Sequence, residues 1–328
     1  MKRLLGAVVA AFLLTGCQSA DDPVWQRYHQ ALSEALDTPA IEQRAPGNIG
    51  AFPERRERLI TVPEMRESML NVYALRECDI TSLVAARNNQ LGRVAPPSQH
   101  WLYERTLWQR LERCQRGEVG KSLADSDRER LDTLTQLKTT QLPAVGFNAL
   151  FESEEWEKNF ARASQPLELA ALPDITRELE ALYYLETMVD NTYSLDWQAD
   201  SATLENHLKT LQSRPLTAEI LRTLLLAATR LDEANRLLAL DSPEAVCLPR
   251  WPDELAPLSS MARRWLTAVN ALFQAHDVTP PVAVAEYQSR WLSLDDPNTP
   301  WSRYQVALAE HLALRMAYPA CEASAGVD

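Results

Sequence analysis

Arg87-Asn88-Asn89-Gln90-Leu91-Gly92-Arg93-Val94-Ala95-Pro96-Pro97-Ser98-Gln99 is the stretch that decides how this chain folds. It places two guanidiniums and three amides within seven residues, with one of the chain's few glycines beside them. On its N-terminal side Ile80, Leu83 and Val84 repeat at helical spacing behind Asp79, which reads as an N-cap. On its C-terminal side Pro-Pro-Ser opens a long amphipathic helix. Ser98 is its expected cap, Leu102, Thr106 and Leu111 face inward, and Cys114 lies near its end. Helix, polar turn, helix is therefore the local plan.

The same period continues outward in both directions. Asp22-Pro23 starts a helix carrying Trp25, Tyr28, Leu32 and Leu36. Residues 39–63 read as an irregular connector with a solvated basic cluster at Arg55, Arg56 and Arg58. Pro63 is expected to open a helix with Met65, Met69, Val72 and Tyr73 on one face. A further helix is expected over 122–142, ended by Pro143. Ile175, Leu179, Leu182 and Val189 mark another, as do Leu204, Leu208 and Leu211. Ile220, Leu224, Leu231 and Leu238 lie on a segment apolar around much of its circumference, which makes it the expected central helix. Met261, Trp265, Leu272 and Phe273, then Tyr287 and Trp291, then Trp301, Tyr304, Leu308 and Leu312 complete the series. The Trp-x-Arg-Tyr pattern at Trp25–Tyr28 recurs at Trp301–Tyr304. No unit of regular period lies between them, so no solenoid is indicated.

There are nine glycines in 328 residues, and none between Phe147 and Ala325. Phosphate-cradling loops and tight hairpins need glycine, so sheet and nucleotide site are both disfavoured. The expected fold class is all-α: a globular array of about ten or more amphipathic helices with no significant sheet.

Met1-Lys2-Arg3 followed by the apolar run 4–14 and Leu14-Thr15-Gly16-Cys17 has the form of a lipoprotein signal. Residues 1–16 are expected to be removed, leaving 17–328 as a helical domain with a possible subdomain joint around 241–257, and Cys17 is the expected lipidation site. Gln18 favours outer-membrane placement on the periplasmic face. The removed segment carries Lys2, Arg3 and no acid, taking the formal charge from −12 to −14. An acidic chain of this kind disfavours nucleic acid and anionic membrane surfaces as ligands.

Four cysteines remain after Cys17: Cys78, Cys114, Cys247 and Cys321. In an oxidising compartment they read as two disulfides, for which three connectivities exist. A rising helix ending at Cys78, a descending one after Asp79 and the rising helix after Ser98 bring Cys78 to Cys114, which leaves Cys247 for Cys321.

Catalytic and metal motifs are mostly missing. The five histidines, His29, His100, His207, His276 and His311, include no i, i+4 pair, and no cysteine pair has zinc or redox spacing. No metal and no cofactor is expected. Glu152-Ser153 is the enzyme-like feature: a glutamate acid/base beside Phe147, Phe151 and Trp156 would suit a lytic cell-wall enzyme. The plainer reading makes Ser153 an N-cap with Glu154 and Glu155 in the first helical turn. Arg87, Asn88, Asn89, Gln90 and Arg93 are the candidate binding residues, since arginine offers bidentate geometry for carboxylate or phosphate. Here too a plainer reading exists, with amides capping helix ends and arginines paired to carboxylates.

The Arg87–Gln99 stretch, with Cys78-Asp79 before it and Phe147-Asn148-Ala149-Leu150-Phe151 after it, resembles a family of Gram-negative bacterial envelope lipoproteins. That family is catalogued as domain of unknown function number three thousand and eighty, and the resemblance implies no activity. The expectation is a non-enzymatic interaction or scaffold protein, anchored to the membrane by its N-terminal lipid and meeting an envelope protein partner. The alternative is a lytic enzyme using Glu152. Radiolabelled fatty acid should enter the wild-type chain and not Cys17→Ser; equal labelling of the two would remove the lipid anchor.

Overall fold

Asp22 folds one carboxylate oxygen back onto the Val24 amide at 2.8 Å, and Pro23 follows at the first helical position. This start, which the sequence predicts, launches α1 (Pro23–Ala35). The other oxygen of Asp22 accepts from the Leu169 amide at 2.7 Å, so the cap is also a tertiary tie. The computed structural model describes residues 22–63, 68–240 and 246–319. Cys17, Met65 and Cys321 lie outside the described residues.

The helices that follow are α2 (Met69–Ala74), α3 (Thr81–Asn88), α4 (Gln90–Arg93), α5 (Pro97–Arg116), α6 (Glu118–Ser122), α7 (Asp125–Phe151) and α8 (Glu154–Lys158). Then come α9 (Thr176–Asp190), α10 (Ser201–Gln212), α11 (Leu216–Leu240), α12 (Leu255–Ala275), α13 (Val282–Tyr287) and α14 (Pro300–Met316). No strand occurs among the described residues, and the all-α class stands. None of the described helices is long and apolar enough to cross a membrane.

Helix α11 is the centre, as its circumferential apolarity predicts. Leu216, Ile220, Leu221, Leu224 and Leu231 have no exposed surface, and even Arg230 and Glu233 are buried. Helices α1 and α14, which carry the two Trp-x-Arg-Tyr patterns, both contact it. Tyr28 and His311 meet at 2.6 Å between them. The first turn of α11 is capped from a distance: Asn159 Oδ1 accepts from the Thr217 amide at 3.0 Å, and the Asn159 carbonyl accepts from Ala218 at 3.1 Å. One main core runs from Val24 to Tyr318 and includes residues on both sides of 241–257.

Four local expectations are corrected. Proline does not end α7 at Pro143; the helix runs through it for eight more residues. Proline strips the Thr139 carbonyl of its helical donor, and the Tyr193 hydroxyl donates to that oxygen instead at 2.7 Å. Asp79 does not cap α3: it takes a left-handed conformation (φ 58°) that closes the turn Arg76–Cys78, a place aspartate tolerates. Ser98 is not the cap of α5, because Pro97 occupies the first helical position and Pro96 precedes it; its hydroxyl donates to Glu205 at 2.6 Å. No single helix carries Pro63 through Tyr73: Ser68 is extended and caps α2, which begins at Met69, and of the described residues of that face only Val72 is buried. Met69 and Tyr73 stand exposed, since so short a helix packs chiefly against the turn and α3 that follow it.

His276 and His311 are buried, and burial pushes both imidazoles down, to about 4 and about 3. At His311 the nearby charges of Arg315 and His29 add to the effect. Folded-state values below the unfolded ~6.5 mean that the folded chain holds fewer protons. The associated stability is therefore present above pH 6.5 and is lost as pH falls toward 4. From pH 7 to pH 5.5 each should cost about 1 kcal/mol, read by chemical denaturation. In His276→Leu that loss should shrink; an unchanged loss would show that folding does not hold the His276 imidazole neutral.

Candidate functional site

The motif residues build a turn whose two halves do different jobs. Asn89 caps α4, its Oδ1 accepting from the Gly92 amide at 2.8 Å. Arg87, in the last turn of α3, donates to the Gly92 carbonyl at 2.8 Å and lies 5.9 Å from the centre of the Tyr103 ring. A Cβ on Gly92 would come within 2.3 Å of the Ala86 carbonyl oxygen and 2.5 Å of that of Arg87. Only glycine lets α4 fold this tightly against α3. In the second half Gln99 donates to Ser201 at 2.9 Å and to Glu205 at 2.7 Å, which fastens the start of α5 to α10.

Arg87, Asn88 and Arg93 line an open cavity of about 1190 Å³ between α2–α4 and the helices α5 and α7. Asn89 and Gln90 are exposed on α4 and are not part of its wall. Glu152, the candidate acid/base, lines the same cavity, so the binding and the enzyme readings converge on one place. Its carboxylate is paired with Arg55. Phe147, Phe151 and Trp156 do not form a pocket around it. They pack on one another and on Phe273 in the main core, with ring centres 4.2–6.0 Å apart. Ser153 accepts from the Trp156 amide at 3.1 Å and caps α8, with Glu154, Glu155 and Glu157 in its first turn, as the plainer reading expects.

The turn is not the buried, carboxylate-paired network that this plainer reading suggests at 87–93. Asn88, Asn89, Gln90 and Arg93 are exposed and Arg87 is half-buried. Among the described residues neither arginine makes an ion pair. The other cations lining the cavity are all paired: Arg55 with Glu152, Lys138 with Glu104 at 2.7 Å and Arg130 with Asp127 at 2.6 Å. Burial, then the charge of Arg87, pushes the His100 imidazole down. Burial, with Glu104, pushes the Tyr103 hydroxyl up to about 12.

Arg55 and the Glu104–Lys138 pair are the wall residues that sequence reasoning missed. Residues 55–58 read as solvated linker, yet Arg58 is buried and pairs with Glu157, while Arg55 and Arg56 keep most of their surface in solvent. Asn148, inside the Phe-Asn-Ala-Leu-Phe motif, holds this strap in place. Its amide donates to the Ile60 carbonyl at 2.7 Å and accepts from the Ile60 amide at 2.8 Å.

Behind the cavity lies a second, smaller core of Leu75, Cys78, Ile80, Leu107, Leu111, Cys114 and Leu131. The Cys78–Cys114 bridge closes it as the three-helix topology predicts, with a Cα spacing of 5.2 Å. Cys247 is disulfide-bonded as well, and its expected partner Cys321 is outside the described residues. No cluster of three or more metal-ligating side chains occurs among the described residues.

The fold and site define a disulfide-stapled, all-helical protein with a half-apolar cavity under a basic rim. The family model described as "Protein of unknown function (DUF3080)" matches residues 25–256, and the chain belongs to that family. No curated protein and no solved structure matches it.

Closing a loop over a separation of 36 residues should stabilise the chain by about 4 kcal/mol on the chain-entropy model. Cys78→Ser/Cys114→Ser should lower the denaturation midpoint accordingly. Amide-exchange protection should fall in α3 and at the end of α5 while α11 keeps its own. Uniform loss across all helices would show that the small core is not a separate unit.

Proposed function

We propose that this protein is a non-enzymatic interaction protein of the cell envelope. Lipid on Cys17 anchors it at the periplasmic face of the outer membrane, and the cavity with Arg87, Asn88 and Arg93 in its wall is its binding site. The observation that carries the reading is the pair of guanidiniums in the cavity wall that have no carboxylate partner among the described residues, in a chain with 45 acids against 33 lysines and arginines. Every other lysine or arginine lining the cavity is paired with an acid. Arg87 and Arg93, on the turn the motif builds, have none among the described residues and keep donors for something outside the chain. Crosslinking and pull-down from outer membranes should recover a partner with the wild type and lose it with Arg87→Ala/Arg93→Ala. An identical set of captured proteins for both would overturn the reading.

A second reading has one observation in its favour: Glu152 lines the same cavity. A lytic enzyme needs that carboxyl in apolar surroundings to carry a proton, whereas here it meets the Arg55 guanidinium. Release of soluble fragments from purified cell-wall glycan, abolished by Glu152→Gln, would carry the enzymatic reading in place of the first.

A further inference from the structure

We propose that the cavity takes a single-chain anionic amphiphile, with a carboxylate or phosphate head on Arg87 and Arg93 and its acyl chain against the apolar wall residues Leu59, Leu134 and Val145. This rests on the reading of the cavity as a binding site and adds the class of ligand.

Several polar groups of the wall are already engaged. Gln141 donates to the Pro63 carbonyl at 3.0 Å, Asn148 is occupied by both polar groups of the Ile60 backbone, and Lys138 and Glu104 neutralise each other. Among the described residues Arg87 and Arg93 have no carboxylate partner, and Arg87 uses one donor on the Gly92 carbonyl; arginine binds carboxylate or phosphate through two parallel hydrogen bonds. The wall also includes Leu59, Leu134 and Val145, which are only half-buried and keep apolar surface to offer. Cationic groups without acids beside apolar wall surface can orient an amphiphile.

Size points the same way. Pockets for small ligands run to roughly 300–1,000 Å³, and about 1190 Å³ is far more than an inorganic anion needs. The rim adds a third observation. α2 and α4, whose Met69 and Arg93 line the cavity, expose Leu70 at 81%, Leu91 at 79% and Val94 at 76%. Bare apolar side chains beside free arginines suit a ligand that is both oily and anionic. An extended peptide is less well served, because the wall amides it would need for its backbone are in use. The net acidity of the chain opposes binding to a whole anionic surface. It does not oppose one anion held against two guanidiniums, since charges beyond about 8 Å are largely screened at physiological salt.

Isothermal titration of the purified Cys17→Ser chain tests this with dodecanoate, dodecyl phosphate, octanoate and dodecyl maltoside, each below its micellar concentration. Dodecanoate or dodecyl phosphate should bind one to one, and which of the two is tighter identifies the head group. Octanoate should bind more weakly than dodecanoate, by about fourfold per methylene removed if the chain is fully buried. Uncharged dodecyl maltoside should bind at least tenfold more weakly. Arg87→Ala/Arg93→Ala should weaken the anions at least tenfold with an unchanged circular dichroism spectrum, and Arg128→Ala should not. The proposal is overturned if neither anion binds, or if affinity ignores chain length or the two arginines. It is equally overturned if a Leu/Glu amphipathic peptide, or vesicles of anionic phospholipid, compete for those arginines where the amphiphiles do not. Should amphiphile binding fail while the envelope crosslinks still depend on Arg87 and Arg93, only the ligand class falls. If the crosslinks are lost too, the binding site falls with it.

Discussion

Deep in α11, Arg230 and Glu233 form an ion pair at 3.0 Å with both side chains about 3% exposed. The pair is not closed on itself. Arg230 donates to the Arg44 carbonyl at 2.9 Å, Glu233 accepts from the Arg44 amide at 2.6 Å, and His29 of α1 reaches the Arg230 carbonyl at 2.9 Å. Removing one member of such a pair leaves an uncompensated buried charge and costs roughly 3–5 kcal/mol. What it holds is the connector after α1, a long segment with no regular structure before its single short turn at Arg55–Glu57. From Arg44 the connector buries Ile49 and stacks Phe52 on Phe160 at 4.4 Å. It ends by delivering Arg58 to Glu157 and Arg55 to Glu152. One wall of the cavity thus hangs from a buried charge pair in a helix that does not itself line it.

Two cores of unequal size explain why a cavity exists at all. The main core is built around α11, whereas the small one behind α3 has only seven fully buried residues. So small a cluster gains little from burial alone, and a disulfide supplies what packing cannot. α5 and α7 serve both. Trp101 and Trp108 of α5 belong to the main core and Leu107 and Leu111 to the small one, while α7 contributes Leu131 to the small core and Phe147 and Phe151 to the main one. The cavity is the space the two cores leave between them. α5 also clamps the chain after α9: the buried Arg105 donates to the carbonyls of Asn191, Ser194 and Trp197, and Gln109 to those of Ser194 and Trp197.

Much of this was legible in the sequence because helix formation and apolar periodicity are local. The central helix, the α1 cap, the Ser153 cap and the Cys78–Cys114 pairing follow from spacing and from one topological step. What was not legible depends on residues far away in the chain. Pro143 fits inside a helix because Tyr193, fifty residues on, replaces its missing partner. Arg58 looks like linker charge until Glu157 is brought to it. Lys138 and Glu104 have no signature as a pair. The basic turn was visible as a candidate, but whether its arginines found acids was a question only the assembled surroundings could answer.

The Tyr193 hydroxyl deserves to be seen mechanically. A helix without one of its rungs bends most easily there, and Pro143 puts that soft point between the part of α7 carrying Leu131 and the part carrying Phe147. The phenol that braces it rides on the same loop that Arg105 and Gln109 grip from α5. Bending α7 at Pro143 therefore loads the loop, and the loop loads α5. The two helices that form one wall of the cavity, packed on each other directly, are thus also cross-braced through a phenol at the point where α7 bends most easily.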